Sequence, residues 1–123
     1  MTQPVFIDLA SALLIQQEQI EAFGGAHGLR DQTLLESALG QAQQTWANTN
    51  DMYEAAAQYA LSIARNHPFV DGNKRTAAAC MLVFMDINGM DINCTTDNIF
   101  TWTMKITVGE ISREELAERL RPN

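Results

Sequence analysis

The chain has 123 residues, 46% of them hydrophobic and 19% charged, and a net charge of −7. This length suits a single domain over 1–123, buries about two-thirds of the unfolded surface and leaves an ordinary globular composition rather than a disordered one. The acidic balance excludes a nucleic-acid-binding surface, which needs a basic field, and the longest apolar run, Ala77 to Met85, is too short to cross a membrane.

The N-terminal stretch MTQPVFIDLA lacks the basic and apolar regions of a signal peptide, so a cytoplasmic location is expected. Leu9, Leu13, Ile20 and Phe23 share one face at helical spacing, and Gly24-Gly25 ends that helix. A glycine-containing loop, GGAHGLRDQ, follows. Thr33 with Glu36 reads as a capping box that starts a second helix, with Leu34, Leu35, Ala38, Leu39 and Ala42 on its apolar side. Asp51, with Glu54 three residues later, starts a third, which runs through Ala56, Tyr59, Ala60 and Ile63 to about Asn66. It must stop there, because Pro68 disfavours helical geometry at His67.

A fourth helix begins near Asp71 to Asn73 and continues to Asn88, with Gly89 at its C-terminal end. Its stretch TAAACMLVFM is apolar all round, which predicts a helix surrounded by others. Residues 101–108 fit two patterns. Trp102, Met104, Ile106 and Val108 alternate as in a strand, whereas Ile99, Trp102, Thr103 and Ile106 fit a helix. A lone strand has no partner in this chain, so helix is the reading adopted. Ser112 and Glu115 form a capping box for a last helix to about Leu120, with Ile111 and Leu116 as its hydrophobic staple. The expectation is an all-α bundle of about six helices around one central buried helix. Cys80 and Cys94 lack metal-ligand spacing and read as reduced core thiols.

Only eight lysines and arginines exist, and Arg65, Lys74 and Arg75 fall within eleven positions. Surface ion pairs would explain that cluster; so would a local anion site. The segment HPFVDGNKRT (67–76) favours the second reading on chemical grounds. A helix N-terminus exposes unpaired N–H groups and partial positive charge. Lys74 and Arg75 in the first turn oppose the helix dipole, a conflict that a bound phosphate removes. Gly72 permits close approach of backbone amides. His67 is suited to take a proton near neutral pH. Asp71 offers oxygen ligands to magnesium, with phosphates completing the shell, or serves simply as an N-cap. Asn73 would orient the phosphate or a neighbouring carboxylate. Phe69 points inward and anchors the loop, and Pro68 limits its flexibility. Base, metal carboxylate, cationic clamp and oriented amides are the parts of phosphoryl or nucleotidyl transfer.

In this order, His67-Pro68-Phe69-Val70-Asp71-Gly72-Asn73-Lys74-Arg75 resembles the signature of the Fic-domain superfamily, His-x-Phe-x-acid-Gly-Asn-x-Arg. Lys74 and Thr76-Ala77 resemble its Doc, or death-on-curing, branch. FGGAHGLRD (23–31), LLESAL (34–39), ARNHPF (64–69) and GEISREELAERL (109–120) are similar to that branch too, so the resemblance covers nearly the whole chain.

The resemblance implies a small all-α fold and a toxin neutralised by a cognate, Phd-like antitoxin. It implies transfer of phosphate from ATP, with magnesium, to a protein hydroxyl on elongation factor Tu, which arrests translation. Fic proteins in general transfer AMP instead, and a catalytically idle antitoxin-binding module is a further alternative. By position, His67 would be the general base. Asp71 would bind magnesium or position the base. Gly72, Asn73, Lys74 and Arg75 would hold the phosphates, assisted by Arg65. AMP-transferring relatives usually carry glycine in place of Lys74 and a second arginine in place of Ala78, so both departures favour phosphate transfer. Many relatives have His-Asp where this chain has Gln16-Gln17. No internal inhibitory helix of the Fic type is recognisable. The antitoxin would dock a segment in an apolar groove, as an amphipathic helix would. Any operator DNA binding would belong to the antitoxin.

Overall fold

The computed structural model describes residues 3–122; Met1, Thr2 and Asn123, which belong to the single unit expected over 1–123, lie outside the described residues. It contains six helices: α1 Leu9–Phe23, α2 Gln32–Thr49, α3 Met52–Asn66, α4 Asn73–Ile87, α5 Thr96–Thr107 and α6 Arg113–Leu120. The expected all-α class and helix order are observed. Residues 96–107 are helical and bury Ile99, Thr103 and Ile106 on one side. Among the described residues no helix is long and apolar enough to cross a membrane.

Local chemistry explains most helix starts. Asp8, Asp51, Thr95 and Ser112 each accept a backbone N–H of the first turn, and Thr95/Asn98 and Ser112/Glu115 form reciprocal capping boxes. α2 departs from expectation: Asp31, not Thr33, is its cap, accepting from Leu34 N at 3.0 Å. The amide of Asp31 is itself tied to the Pro68 carbonyl. That contact fixes the chain two residues before Thr33, and an ionised carboxylate is the stronger acceptor.

The central helix also differs from expectation. α3 touches α2, α4, α5 and α6. Its Ala55, Ala56, Ala57, Ala60 and Ala64 are fully buried, and such short side chains let neighbours approach from several sides. α4 packs on α1, α3 and α5, burying Ala77, Cys80, Met81, Phe84 and Met85. Ala79 and Leu82, with the buried Ala78, line an open groove of about 670 Å³ between α1 and α5. The all-round apolar pattern of α4 thus has two origins, a core face and a groove face. Cys80 and Cys94 are free thiols; burial pushes the Cys80 thiol up to about 12.

Candidate active site

α3 ends where Pro68 requires it to. His67 closes the helix in the left-handed region, φ 49° and ψ 53°, with its N–H on the Ile63 carbonyl. This conformation is uncommon for a residue with a Cβ, and the surroundings hold it there. Arg30 donates from Nε to the His67 carbonyl at 2.7 Å and from Nη2 to the Asn66 carbonyl at 3.0 Å. The Pro68 carbonyl accepts the amides of Arg30 and Asp31, and Val70 N donates to Gly28 O. Leu29 and Phe69 form an isolated antiparallel bridge. Residues 28–31 therefore form a strap along residues 67–70. Phe69 is 1% exposed, as an inward anchor should be.

The side chain of Asn73 is buried within the loop. Its Oδ1 accepts Phe69 N at 2.9 Å and its Nδ2 donates to Phe69 O at 3.0 Å. Nδ2 also lies 3.3 Å from His67 Nδ1. The Phe69 pair decides which end of the amide is nitrogen, so a neutral imidazole accepts at Nδ1 and carries its proton on Nε2; this tautomer is assigned from the network. Asn73, expected among the phosphate-holding residues, thus spends its side chain on loop and histidine. Its backbone N–H remains in the first turn of α4.

Asp71 is held by backbone. Oδ1 accepts Gly72 N at 2.8 Å and Oδ2 accepts Ala26 N at 3.2 Å. Gln16, buried in α1, donates from Nε2 to the Asp71 carbonyl at 3.3 Å. A Cβ on Gly25 would lie 2.7 Å from Asp71 Oδ2, so only glycine allows this approach.

Gly72 starts α4 with φ 71°, a conformation glycine adopts without penalty. α4 alone among the six helices has no side-chain cap, and it has no acid in its first turn. Lys74 and Arg75 sit in that turn. The ion pairs among the described residues are made by Arg113 and Arg121, none by Arg65, Lys74 or Arg75. Surface ion pairing therefore does not account for the cationic cluster. Among the described residues Lys74 and Arg75 thus have no acidic partner, and they lie at an uncapped helix start, where the local potential favours an anion.

His67, Asp71, Gly72, Asn73, Lys74 and Arg75 line one cleft of about 420 Å³, faced by Phe100 and Met104 of α5. That volume is within the range of small-molecule sites. Arg65 is not brought into it; its side chain is exposed on the last turn of α3. Among the described residues no three His, Cys, Asp or Glu side chains converge as a metal cage. The donor set suits magnesium completed by phosphates, because Mg²⁺ commonly uses one or two carboxylates and fills its shell with phosphate and water. Each Asp71 oxygen accepts one backbone N–H and keeps lone-pair capacity for a cation.

Sequence reasoning assigned no role to Arg30, Gln16 or Phe100. Arg30 stands apart from the basic cluster and Gln16 sits in an amphipathic helix. Phe100 belongs to a helix whose pattern alone was ambiguous. The only signal for the strap was the stretch 23–31, similar to the same family as the loop it touches.

Known proteins resemble this chain over most of its length. The Fic/DOC family model matches residues 6–85, which include both loops of the site. The chain is 32% identical to "Protein kinase doc" of Escherichia phage P1 over 111 residues, 89% of this chain and 87% of that protein. It is 40% identical to "Toxin Doc" of Mycolicibacterium smegmatis over 79 residues, 62% of this chain and 61% of that protein. The chain belongs to the Fic/DOC family, and both of these relatives are Doc proteins.

Proposed function

We propose that this protein is the toxin of a toxin–antitoxin pair and transfers phosphate from ATP to a protein hydroxyl, with elongation factor Tu as the target. The observation that carries the reading is the uncapped start of α4, with unpaired Lys74 and Arg75, in the same cleft as His67 and Asp71. The names of the two relatives, a protein kinase and a toxin, support it.

In this reading the amides of α4's first turn, Lys74 and Arg75 bind the triphosphate and leave its terminal phosphorus facing His67. The target hydroxyl oxygen bonds to that phosphorus, the bond to the bridging oxygen breaks, and ADP leaves. His67 takes the hydroxyl proton. If Nε2 is the accepting atom, the ring first holds its proton on Nδ1 and gives up the 3.3 Å contact with Asn73, a long and therefore inexpensive hydrogen bond. Asp71 holds magnesium, which when bound neutralises phosphate charge. Lys74, and the lack of an arginine at Ala78, support phosphate over AMP transfer. The apolar groove beside the cleft, lined by Phe23, Ala79 and Leu82, supports docking of an antitoxin segment there.

The test is incubation with elongation factor Tu, Mg²⁺ and ATP labelled at the γ or the α position. Label from the γ position alone, lost in His67→Ala, is expected. Label from the α position would replace the reading by AMP transfer. Label from neither, with antitoxin still bound, would favour an idle binding module.

A further inference from the structure

Arg75 is held by aromatic rings rather than by acids. Its guanidinium carbon lies 4.2 Å from the ring centroid of Phe23 and 5.0 Å from that of Phe100. The rings come from different helices, Phe23 from the last position of α1 and Phe100 from the second turn of α5. Phe23 is 60% exposed, so a large apolar side chain stands in water instead of in the core. Arg75 and Phe100 line both the 420 Å³ cleft and the 670 Å³ groove, so the guanidinium sits where the two cavities meet.

We propose that Phe23 and Phe100 are positioning residues that hold Arg75 ready for the nucleotide phosphates. This rests on the functional reading above. A flexible arginine must lose rotamer freedom when it binds an anion, and one already ordered loses less. A carboxylate partner would order it too, but would neutralise the charge the phosphate needs. An aromatic face attracts the cation through its quadrupole and leaves the charge intact. In a chain of net charge −7, that choice of partner keeps one of few cations available.

The experiment measures equilibrium binding of Mg²⁺–ATP by the full chain, with thermal unfolding alongside. Phe23→Leu and Phe100→Leu keep apolar bulk and remove the ring, and each should weaken ATP binding about three- to fivefold, the size of an exposed cation–π contact. Phe100→Tyr keeps a ring and should recover the affinity that Phe100→Leu loses. In an Arg75→Gln background Phe100→Leu should change nothing further. Phe23→Leu, at an exposed position, keeps the test interpretable if Phe100→Leu unfolds the protein. If both leucine variants bind ATP like the wild type while Arg75→Gln binds it more weakly, the clamp is overturned and the phosphate role of Arg75 stands. Equal weakening by Phe100→Leu with and without Arg75 also overturns the clamp. Unchanged binding in Arg75→Gln, or no ATP binding by the wild type, removes the functional reading and the clamp together.

Discussion

Arg30 caps the C-terminus of α3 from outside the helix, donating to the carbonyls of both Asn66 and His67. A cation there complements the negative end of the helix dipole. The same contact pins the backbone of the one residue in this loop that combines a Cβ with a positive φ. The orientation of the imidazole in the cleft therefore depends on a side chain 37 positions earlier in the chain.

Arg30→Met should lower kcat about tenfold with little change in KM for ATP, because His67 loses its backbone support while Lys74 and Arg75 stay in place. Two charged hydrogen bonds at an exposed site suggest a stability loss of about 1–2 kcal/mol. Arg30→Lys should recover only part of both, since an ammonium lacks the planar fork that serves two carbonyls at once. Steady-state kinetics with ATP varied would check this; a rise in KM alone would point to the phosphate clamp instead.

Gly25→Ala should disable the protein by displacing Asp71. The new Cβ would sit 2.7 Å from Asp71 Oδ2, at φ +116°. Gly24→Ala shares the positive φ, +88°, but meets nothing within 4 Å. Both should destabilise by roughly 1–3 kcal/mol through backbone strain. Only Gly25→Ala should also raise the magnesium concentration needed for half-maximal activity. Titrating Mg²⁺ in both variants separates strain from displacement, and equal magnesium requirements would show that Asp71 is unaffected.

Asp51 caps α3 and pairs with Arg121 of the C-terminal segment. Burial pushes its carboxyl up, but Arg121 and the amides of Glu54 and Tyr53 outweigh that and hold it below the ordinary value of 3.8. A carboxyl depressed in the folded state stabilises fully above its unfolded pKa and loses that contribution as pH falls through the folded one. Asp51→Asn keeps a good cap and loses the charge. It should cost about 0.5–1 kcal/mol at pH 7, discounted for solvent exposure. Its difference from the wild type should shrink as pH falls below 3.8. Denaturant unfolding at pH 7, 5 and 3 checks the sign, and a gap that widens on acidification would contradict it.

Arg113 fastens α6 to α3. Its Nε lies 2.8 Å from Glu54 Oε1 and its Nη1 donates to Gln58 Oε1 at 3.1 Å. The Glu54 side chain is only 12% exposed. Arg113→Met leaves that carboxylate without its partner and should cost about 2–3 kcal/mol. Adding Glu54→Gln removes the stranded charge and should recover part of the loss. Urea unfolding of the two singles and the double gives the coupling, and strict additivity would mean that the pair contributes nothing.

Local order was legible wherever its cause was local. The stop at Asn66 follows from Pro68, and the capping box of Ser112 and Glu115 follows from side chains three residues apart. The start of α2 was misread at Thr33, because what fixes Asp31 is a carbonyl 37 positions away at Pro68. The central helix was misplaced for a related reason. An apolar stretch such as that of α4 looks the same whether it faces a core or an open groove, and only the positions of α1 and α5 distinguish the two.

The candidate site divides along the same line. Residues 67–76 are contiguous, so histidine, carboxylate, glycine and two cations could be read as one chemical unit before any fold was known. The sequence by itself determined that unit, the all-α class and the scarcity of positive charge around it. Only the tertiary structure decided that Arg30 supports His67 and Gln16 the Asp71 carbonyl, that Phe23 and Phe100 hold Arg75, and that Arg65 stays outside the cleft. These depend on segments remote along the chain, brought together by the packing of α1 and α5 against α4 and of residues 28–31 against the end of α3, and no local propensity encodes them.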